Sequence, residues 1–243
     1  MNEKQFLEDL FEDYITSDDS PYLRNMRELE IKEVKQYMRP GGVVLELGCE
    51  IGYMTSMISP LARELDVVEG STQFINEAKK RNLPNVKFYN CLFEEFAPKQ
   101  KYDYVFMSHV LEHLQNPQQT LGMVRSALAE GGKLFVVVPN AKAMSRQLAL
   151  KMGIIKDLYG LTPNDVRGGH RRVYDSRTLA AELQKAKLCY NITGLLFKPF
   201  ADFQMDVLIE NEFLTQKHLD GLALLGRDYP EECGALFAVC VND

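Results

Sequence analysis

The chain has 243 residues, enough for one large domain or for one domain with an embedded cap, and its 46% hydrophobic and 26% charged residues are ordinary for a globular protein. A formal net charge of -6 and a pI near 5.4 disfavour a phosphate-gripping face. The densest basic run, His170-Arg171-Arg172, is too short for a duplex footprint, so nucleic acid is not the expected partner.

No apolar run approaches the roughly 20 residues that cross a bilayer. The opening MNEKQFLEDLFEDYI is acidic and amphipathic, unlike a signal or transit peptide, so a cytoplasmic location without membrane contact is expected. Cys49, Cys91, Cys189, Cys233 and Cys240 show no CxxC or His-Cys spacing. Reduced thiols and no metal site are the expectation.

Phe6, Leu7, Leu10, Phe11 and Tyr14 recur at helical spacing, and a second helical stretch runs from about Pro21 to Met38. Residues 1–40 are therefore read as a helical cap, ended by Pro40-Gly41-Gly42, ahead of a domain over 41–243. Strands and helices then alternate. Val43–Leu47 reads as a strand, Tyr53–Leu61 as a helix, and Leu65–Val68 as a strand. Ser71 caps a helix through Arg81, and Val86–Tyr89 is a third strand. Tyr104–Met107 is a fourth, Pro117–Ala129 a helix with proline in its first turn, and Leu134–Val138 a fifth strand. A helix from Asp175 or Ser176 to Ala186, a strand near Asn191–Phe197 and a last strand Ala235–Val241 complete the series. Short apolar strands alternating with amphipathic helices imply an α/β, doubly wound, mostly parallel sheet covered on both faces. Segments 141–174 and 198–232 break the rhythm and follow strands, where they serve as inserted lids or as surface decoration.

VVLELGCEIG, Val43 to Gly52, is a strand running into a glycine turn. It lacks the GxxxxGK[ST] of a phosphate loop. The GxGxxG of a dinucleotide site fails too, because Glu50 and Tyr53 stand where glycines belong. Glu50 adds bulk and negative charge where a pyrophosphate would approach. The pattern present is ExGxxxG: Glu46, Gly48 and Gly52. A second mark is Glu69, 21 residues past Gly48 at the end of the next strand, where a carboxylate can accept from both ribose hydroxyls. A surface glutamate at a strand end is the plain alternative. The third is YDYVFMSHVLEHL, Tyr102 to Leu114, closed by Asn116-Pro117 and followed by LAEGGKL, Leu128 to Leu134, and GGHRRVY, Gly168 to Tyr174.

Taken together, these segments resemble the class I S-adenosylmethionine-dependent methyltransferases, in the family's order over roughly Val43 to Ala186. The resemblance departs from the family at Glu50 and at Cys91, where many members carry an acidic residue near the adenine. It implies a seven-stranded Rossmann-like sheet with helical cap insertions, its last strand antiparallel, and S-adenosylmethionine as cofactor. Glu46, Gly48, Cys49 and Gly52 would surround the methionine end, and Glu69 the ribose, with Gly70 and Ser71 beside it. Cys91 and Leu92 would face adenine, the latter through its backbone. Ser108 and His109 would sit beside the sulfonium, and Tyr14 and Tyr22 would close over the site.

Methyl transfer is a direct displacement, so alignment matters most, and an oxygen nucleophile also calls for a base. His109 is the first candidate for that base and His170 the second. A structural or cofactor-contacting role stands beside the catalytic one for His109, and a structural role ahead of it for His113. Arg171 and Arg172 could hold an anionic substrate or pair with local acids. Phe200 to Asp206, with Asp202 and Asp206, could take a cationic amine or simply pack a cap. The expected activity is methylation of an oxygen or nitrogen of a small metabolite such as a sugar, amino-acid-derived or secondary-metabolite acceptor. A homodimer is the assembly to look for. A binding module without catalysis and a protein or RNA methyltransferase are the rival readings.

Overall fold

Strand sequences such as GVVLEL and YDYVFMS place apolar side chains alternately on the two faces, and both faces are covered. The computed structural model describes residues 3–15 and 19–242. Residues 1, 2 and 16–18 of the expected cap, and Asp243, lie outside the described residues. The described chain forms one seven-stranded sheet: β1 (Gly42–Leu47), β2 (Ala62–Glu69), β3 (Val86–Asn90), β4 (Tyr102–Ser108), β5 (Leu128–Pro139), β6 (Leu188–Gly194) and β7 (Ala235–Asn242). Their spatial order is β3-β2-β1-β4-β5-β7-β6. β7 is antiparallel to both β5 and β6, and the other pairings are parallel. The chain works outward from β1 to β3, then returns to place β4 on the other side of β1. That reversal opens a crevice beyond the carboxyl ends of β1 and β4, where open α/β sheets bind ligands.

Alternation along the strands divides the core. Leu45, Leu47, Val105, Met107, Leu134 and Val136 meet Leu121 and Val124 of α6 (Pro117–Ala127) and Leu179 and Leu183 of α9 (Ser176–Lys185). On the other face Val44, Phe106, Phe135, Val137 and Phe237 meet Met26, Ile31 and Val34 of α3 (Pro21–Val34), and Met54 and Ile58 of α4 (Tyr53–Ile58). Caps fix the helix starts. The Ser71 hydroxyl accepts from the Phe74 amide at the head of α5 (Thr72–Lys79), Asn116 from Gln119, and Asp175 from Thr178.

Several boundaries move. α3 ends at Val34 and α4 at Ile58, the latter giving way to a 3₁₀ turn over Ser59–Leu61 around Pro60. α6 ends at Ala127 because Leu128 is already extended, so β5 begins six residues earlier than its apolar run. β6 spans 188–194 rather than 191–197, because Leu195 and Leu196 turn into the core beside Leu219 of α11 (Gln216–Asp228). The N-terminal apolar series forms α1 (Glu3–Asp9) and α2 (Phe11–Tyr14). Segment 141–174 carries α7 (Met144–Lys151) and α8 (Pro163–Arg167); segment 198–232 carries α10 (Asp202–Glu210) and α11. Both leave the same edge of the sheet as the β1 and β4 crevice. Among the described residues no helix is long and apolar enough to cross a membrane.

Candidate functional site

The turn after β1 is built on left-handed backbone. Gly48 has φ +75 and Gly52 φ +82, and the intervening Glu50 holds φ +46. For a non-glycine residue that conformation costs about 1–2 kcal/mol. Arg27 of α3 holds Glu50 there through a 2.6 Å ion pair, so this glutamate is turned onto α3. Arg27 and Arg81 each lie 5.6 Å from the Tyr53 ring, and Arg81 also donates to the Ile51 carbonyl at 2.9 Å. At Gly52 a side chain would also meet Ala78 Cβ at 2.8 Å, so strand–turn–helix closeness and backbone sign both demand glycine. Gly52→Ala should cost about 2–4 kcal/mol and lower Tm by roughly 5–15 °C, which a thermal melt measures directly. An unchanged melt would show that the turn can relax.

Two carboxylates stand behind this turn. Glu69 accepts from the Ser71 amide at 2.8 Å and from the Cys49 amide at 3.2 Å, tying the end of β2 to the β1 turn. Burial pushes its carboxyl up to about 7 against those two donors. Glu46 is 2% exposed, and neither of its oxygens has a hydrogen-bond partner among the described residues. Burial pushes its carboxyl up to about 8, with the Glu50 and Glu69 charges adding and Thr55 opposing. Both therefore hold protons in the folded protein over a range where the unfolded chain, titrating near 4.5, has lost them. The folded state binds more protons, so the stability of the cofactor-free protein falls as pH rises from about 4.5 toward 8. Tm measured between about pH 5.5 and 8.5 should drop less in Glu46→Gln than in the wild type. Identical slopes would remove Glu46 from this linkage.

The N-terminal helices lie against the same crevice. Glu8 of α1 accepts from the Ser71 hydroxyl at 2.7 Å and from the Thr72 amide at 2.7 Å, at the head of α5. Gly70 lets α1 approach: a Cβ there would sit 2.4 Å from Leu7 Cδ1 and 3.3 Å from Leu92 Cδ2. Ser71 is thus occupied as cap and as donor to Glu8. Leu92 was expected to face adenine through its backbone and apolar stacking; its amide donates to the Glu95 carboxylate at 3.2 Å, and its side chain lies toward Gly70. Cys91 is half-buried and packs on the core cluster of β1 and β4. Tyr14 donates to the Gly168 carbonyl and stands edge-on to Phe74. Tyr22 is buried at the junction of α3 and α10, where its amide donates to Asp206 and Lys198 lies 5.5 Å from its ring.

Across the crevice, at the end of β4, Ser108 donates to Glu30 of α3 at 2.5 Å. His109 follows with φ +53, a second strained position beside the first. Its Nε2 lies 3.2 Å from Glu30 and its Nδ1 3.5 Å from Glu112. Burial works against the charged ring, but the Glu112 and Glu30 carboxylates prevail and hold its pKa at about 10. In this arrangement His109 is an imidazolium between two buried carboxylates. It accepts a proton only once one of them gives way. His170 sits farther out, with Nδ1 3.3 Å from Asp165 and its ring edge-to-face with His113 at 4.7 Å. The two candidate bases are therefore linked through Glu112 and His113.

Glu30 and Glu112 are the residues the sequence reading missed. Glu30 shares the stripe of Met26, Ile31 and Val34 on an amphipathic helix, and a carboxylate on that buried stripe was its signal. Arg171 and Arg172 resolve toward local pairing. Arg171 bonds the His113 carbonyl and Glu3, and Arg172 the Leu111 and Leu114 carbonyls. Asp202 pairs with Lys198, and Asp206 accepts from Ser20 and Tyr22, so neither faces an open amine site. The Asp206 contacts have another consequence: α10 braces the start of the helix that carries Glu30.

A family model described as a methyltransferase domain matches residues 22–188. The chain belongs to the methyltransferase-domain family. This methyltransferase is 25% identical over 196 residues to a ubiquinone biosynthesis O-methyltransferase of Idiomarina loihiensis, covering 79% of the chain and 76% of that relative. It is 27% identical over 114 residues to the (S)-coclaurine N-methyltransferase of Thalictrum flavum subsp. glaucum, covering 44% and 32%. Its match to an uncharacterized protein of Methanocaldococcus jannaschii, at 28% identity, spans 48% of the chain and only 33% of that relative. Among solved structures the fold is shared with the complex of DhpI with SAM and HEP, at TM-score 0.63 and 19% identity, over 98% of this chain and 96% of that one. It is shared also with the N-methyltransferase NodS of Bradyrhizobium japonicum WM9 in complex with S-adenosylhomocysteine, at TM-score 0.61 and 15% identity, over 93% and 89%.

Proposed function

We propose that this methyltransferase transfers the methyl group of S-adenosylmethionine to an oxygen or nitrogen of a small metabolite. The observation that carries the reading is Glu46. A carboxyl buried at the end of β1 without a hydrogen-bond partner among the described residues is costly, and a ligand ammonium placed beside it would offset that cost by holding it ionised and paired. The methionine end of S-adenosylmethionine carries such a group, and Glu69 stands one strand away with two acceptor oxygens for a ribose. The phosphate-free turn over Gly48–Gly52, with Glu50 drawn onto Arg27, fits a nucleoside without pyrophosphate.

When bound, the cofactor supplies an activated methyl on a sulfonium. The chain's own residues then orient the two reactants. Ser108 and His109 face the crevice from β4, and Glu30 meets them from α3. An acceptor hydroxyl or amine entering between Glu30 and His109 would replace their mutual contact, with the Glu30 carboxylate as proton acceptor and the His109 ring able to serve only after it has lost its own proton. Curated relatives whose names state O- and N-methylation of small molecules support that acceptor class. The two inserted segments bound this side of the crevice, 198–232 by bracing α3 and 141–174 by supplying His170.

Calorimetric titration with S-adenosylmethionine, coupled to methyl-release assays over hydroxylated and amine-bearing small acceptors, tests the reading. Binding with turnover on at least one small acceptor is expected. Binding without turnover on any of them, or turnover only on bulk tRNA or peptides, would overturn it.

A further inference from the structure

Behind His109 and in contact with it, the fold brings His170 of an inserted segment against the consecutive pair Glu112 and His113. Glu112 and His113 lie in the turn after β4, and His170 comes from the inserted segment 57 residues later. One ligand atom from each lies within 4.8 Å of the others. We infer that Glu112, His113 and His170 form a binding site for a divalent transition-metal cation of the zinc class.

The donor set is two imidazoles and one carboxylate, which suits zinc and its neighbours and leaves coordination positions for solvent. Glu112 supplies the strongest sign of a missing partner. It is fully buried, and neither carboxylate oxygen has a hydrogen-bond partner among the described residues. Its ion contacts are the 3.5 Å approach of His109 and the 4.0 Å approach of His113, both long for a group so desolvated. Asp165 lies 3.3 Å from His170 Nδ1 without a hydrogen bond in this arrangement, and a small turn of the ring would make that carboxylate the outer partner of a metal-bound imidazole.

Asp165 is itself fixed, by the Thr162 amide and hydroxyl at 2.8 Å each and by Arg146 at 3.0 Å. Arg146 also reaches the Leu158 and Gly160 carbonyls, so α7, α8 and the loop between them all bear on His170. From the other direction, Arg171 and Arg172 bond carbonyls of Leu111, His113 and Leu114, which holds the two parts of the site in register. Bonds of about 2.0–2.2 Å would bring the ligand atoms to within about 3.5 Å of one another. Loading therefore draws them in by about an ångström, within reach of side-chain rotation. The bound ion would take over Glu112 from His109 and pin the inserted segment to the end of β4.

The test uses the full chain, freed of any affinity tag and treated with chelator, then titrated with Co²⁺ as a spectroscopic probe and with Zn²⁺ as competitor. One Co²⁺ per chain is expected, with the visible absorption of nitrogen and oxygen ligands and displacement by Zn²⁺. Asp165→Asn should weaken binding by about 10–100-fold, and His170→Ala and His113→Ala by more. Circular dichroism checks that each variant is folded. His170 and Asp165 lie outside the sheet, so their variants keep the test open should a change at Glu112 unfold the chain. No stoichiometric uptake would overturn the inference. So would uptake unaffected by His170→Ala and His113→Ala, or thiolate charge-transfer bands that place the ion on cysteines.

Discussion

Glu69→Ala is expected to weaken binding of S-adenosylhomocysteine by about 100-fold or more, which corresponds to roughly 2.7 kcal/mol lost from charge-assisted hydrogen bonds. The side chain does two things at once. It clasps the Cys49 amide, which belongs to the β1 turn, and the Ser71 amide, which belongs to the head of α5. In the proposed reading it also accepts from two ribose hydroxyls. Glu69→Gln keeps one acceptor oxygen and should lose about tenfold, because an amide cannot accept twice across the same face.

A 2′-deoxy analogue of the ligand separates loop support from ribose recognition. If Glu69 bonds the ribose, the analogue binds the wild type less well than the parent ligand does, whereas Glu69→Ala scarcely distinguishes the two. That is a double-mutant cycle with one partner on the ligand. If both proteins discriminate equally, Glu69 only shapes the turn. Undiminished affinity in Glu69→Ala would remove it from the site altogether.

What the sequence made legible follows from locality. Val43 to Gly52 is a strand, a glycine turn and a helix start in ten consecutive residues, and the positive φ at Gly48 and Gly52 is what those glycines were there to supply. The closeness of Glu69 to that turn was legible because one crossover separates them. Other parts depend on chain segments far apart in sequence. Glu30 joins Ser108 and His109 across 78 and 79 positions, and only the packing of α3 on the sheet reveals it. Leu92 was expected to face adenine through its backbone and apolar stacking, and the sequence does not show that Glu95, three residues on, already engages its amide. Asp202 and Asp206 looked available because the sequence does not show that Lys198 and the head of α3 consume them. Their engagement leaves Glu30, Ser108 and His109 as the acceptor-side residues of the proposed function. The expectation of no metal site came from the absence of local ligand spacing, and the Glu112–His113–His170 cluster is assembled by tertiary contacts that such spacing cannot register.

The second large effect belongs to His109. Alanine is a poor probe there, because φ +53 disfavours it. His109→Asn accepts the left-handed backbone and cannot exchange the imidazole proton. It should lower kcat by about 100–10,000-fold while the cofactor Kd moves by less than about threefold, since the proposed function puts the ring on the acceptor side. Glu30→Gln should produce a loss of the same kind. The double variant should lose little more than the worse single one, because residues that act through one contact are not additive. The KM–kcat split carries the distinction. Loss confined to kcat puts the pair on the reacting proton. Equal and modest losses in kcat and cofactor affinity would instead make His109 a strut holding the end of β4 against α3. An N-methyl acceptor delivered as the free amine should be less sensitive to both substitutions than a hydroxyl acceptor, because the amine lone pair needs no base before it is alkylated.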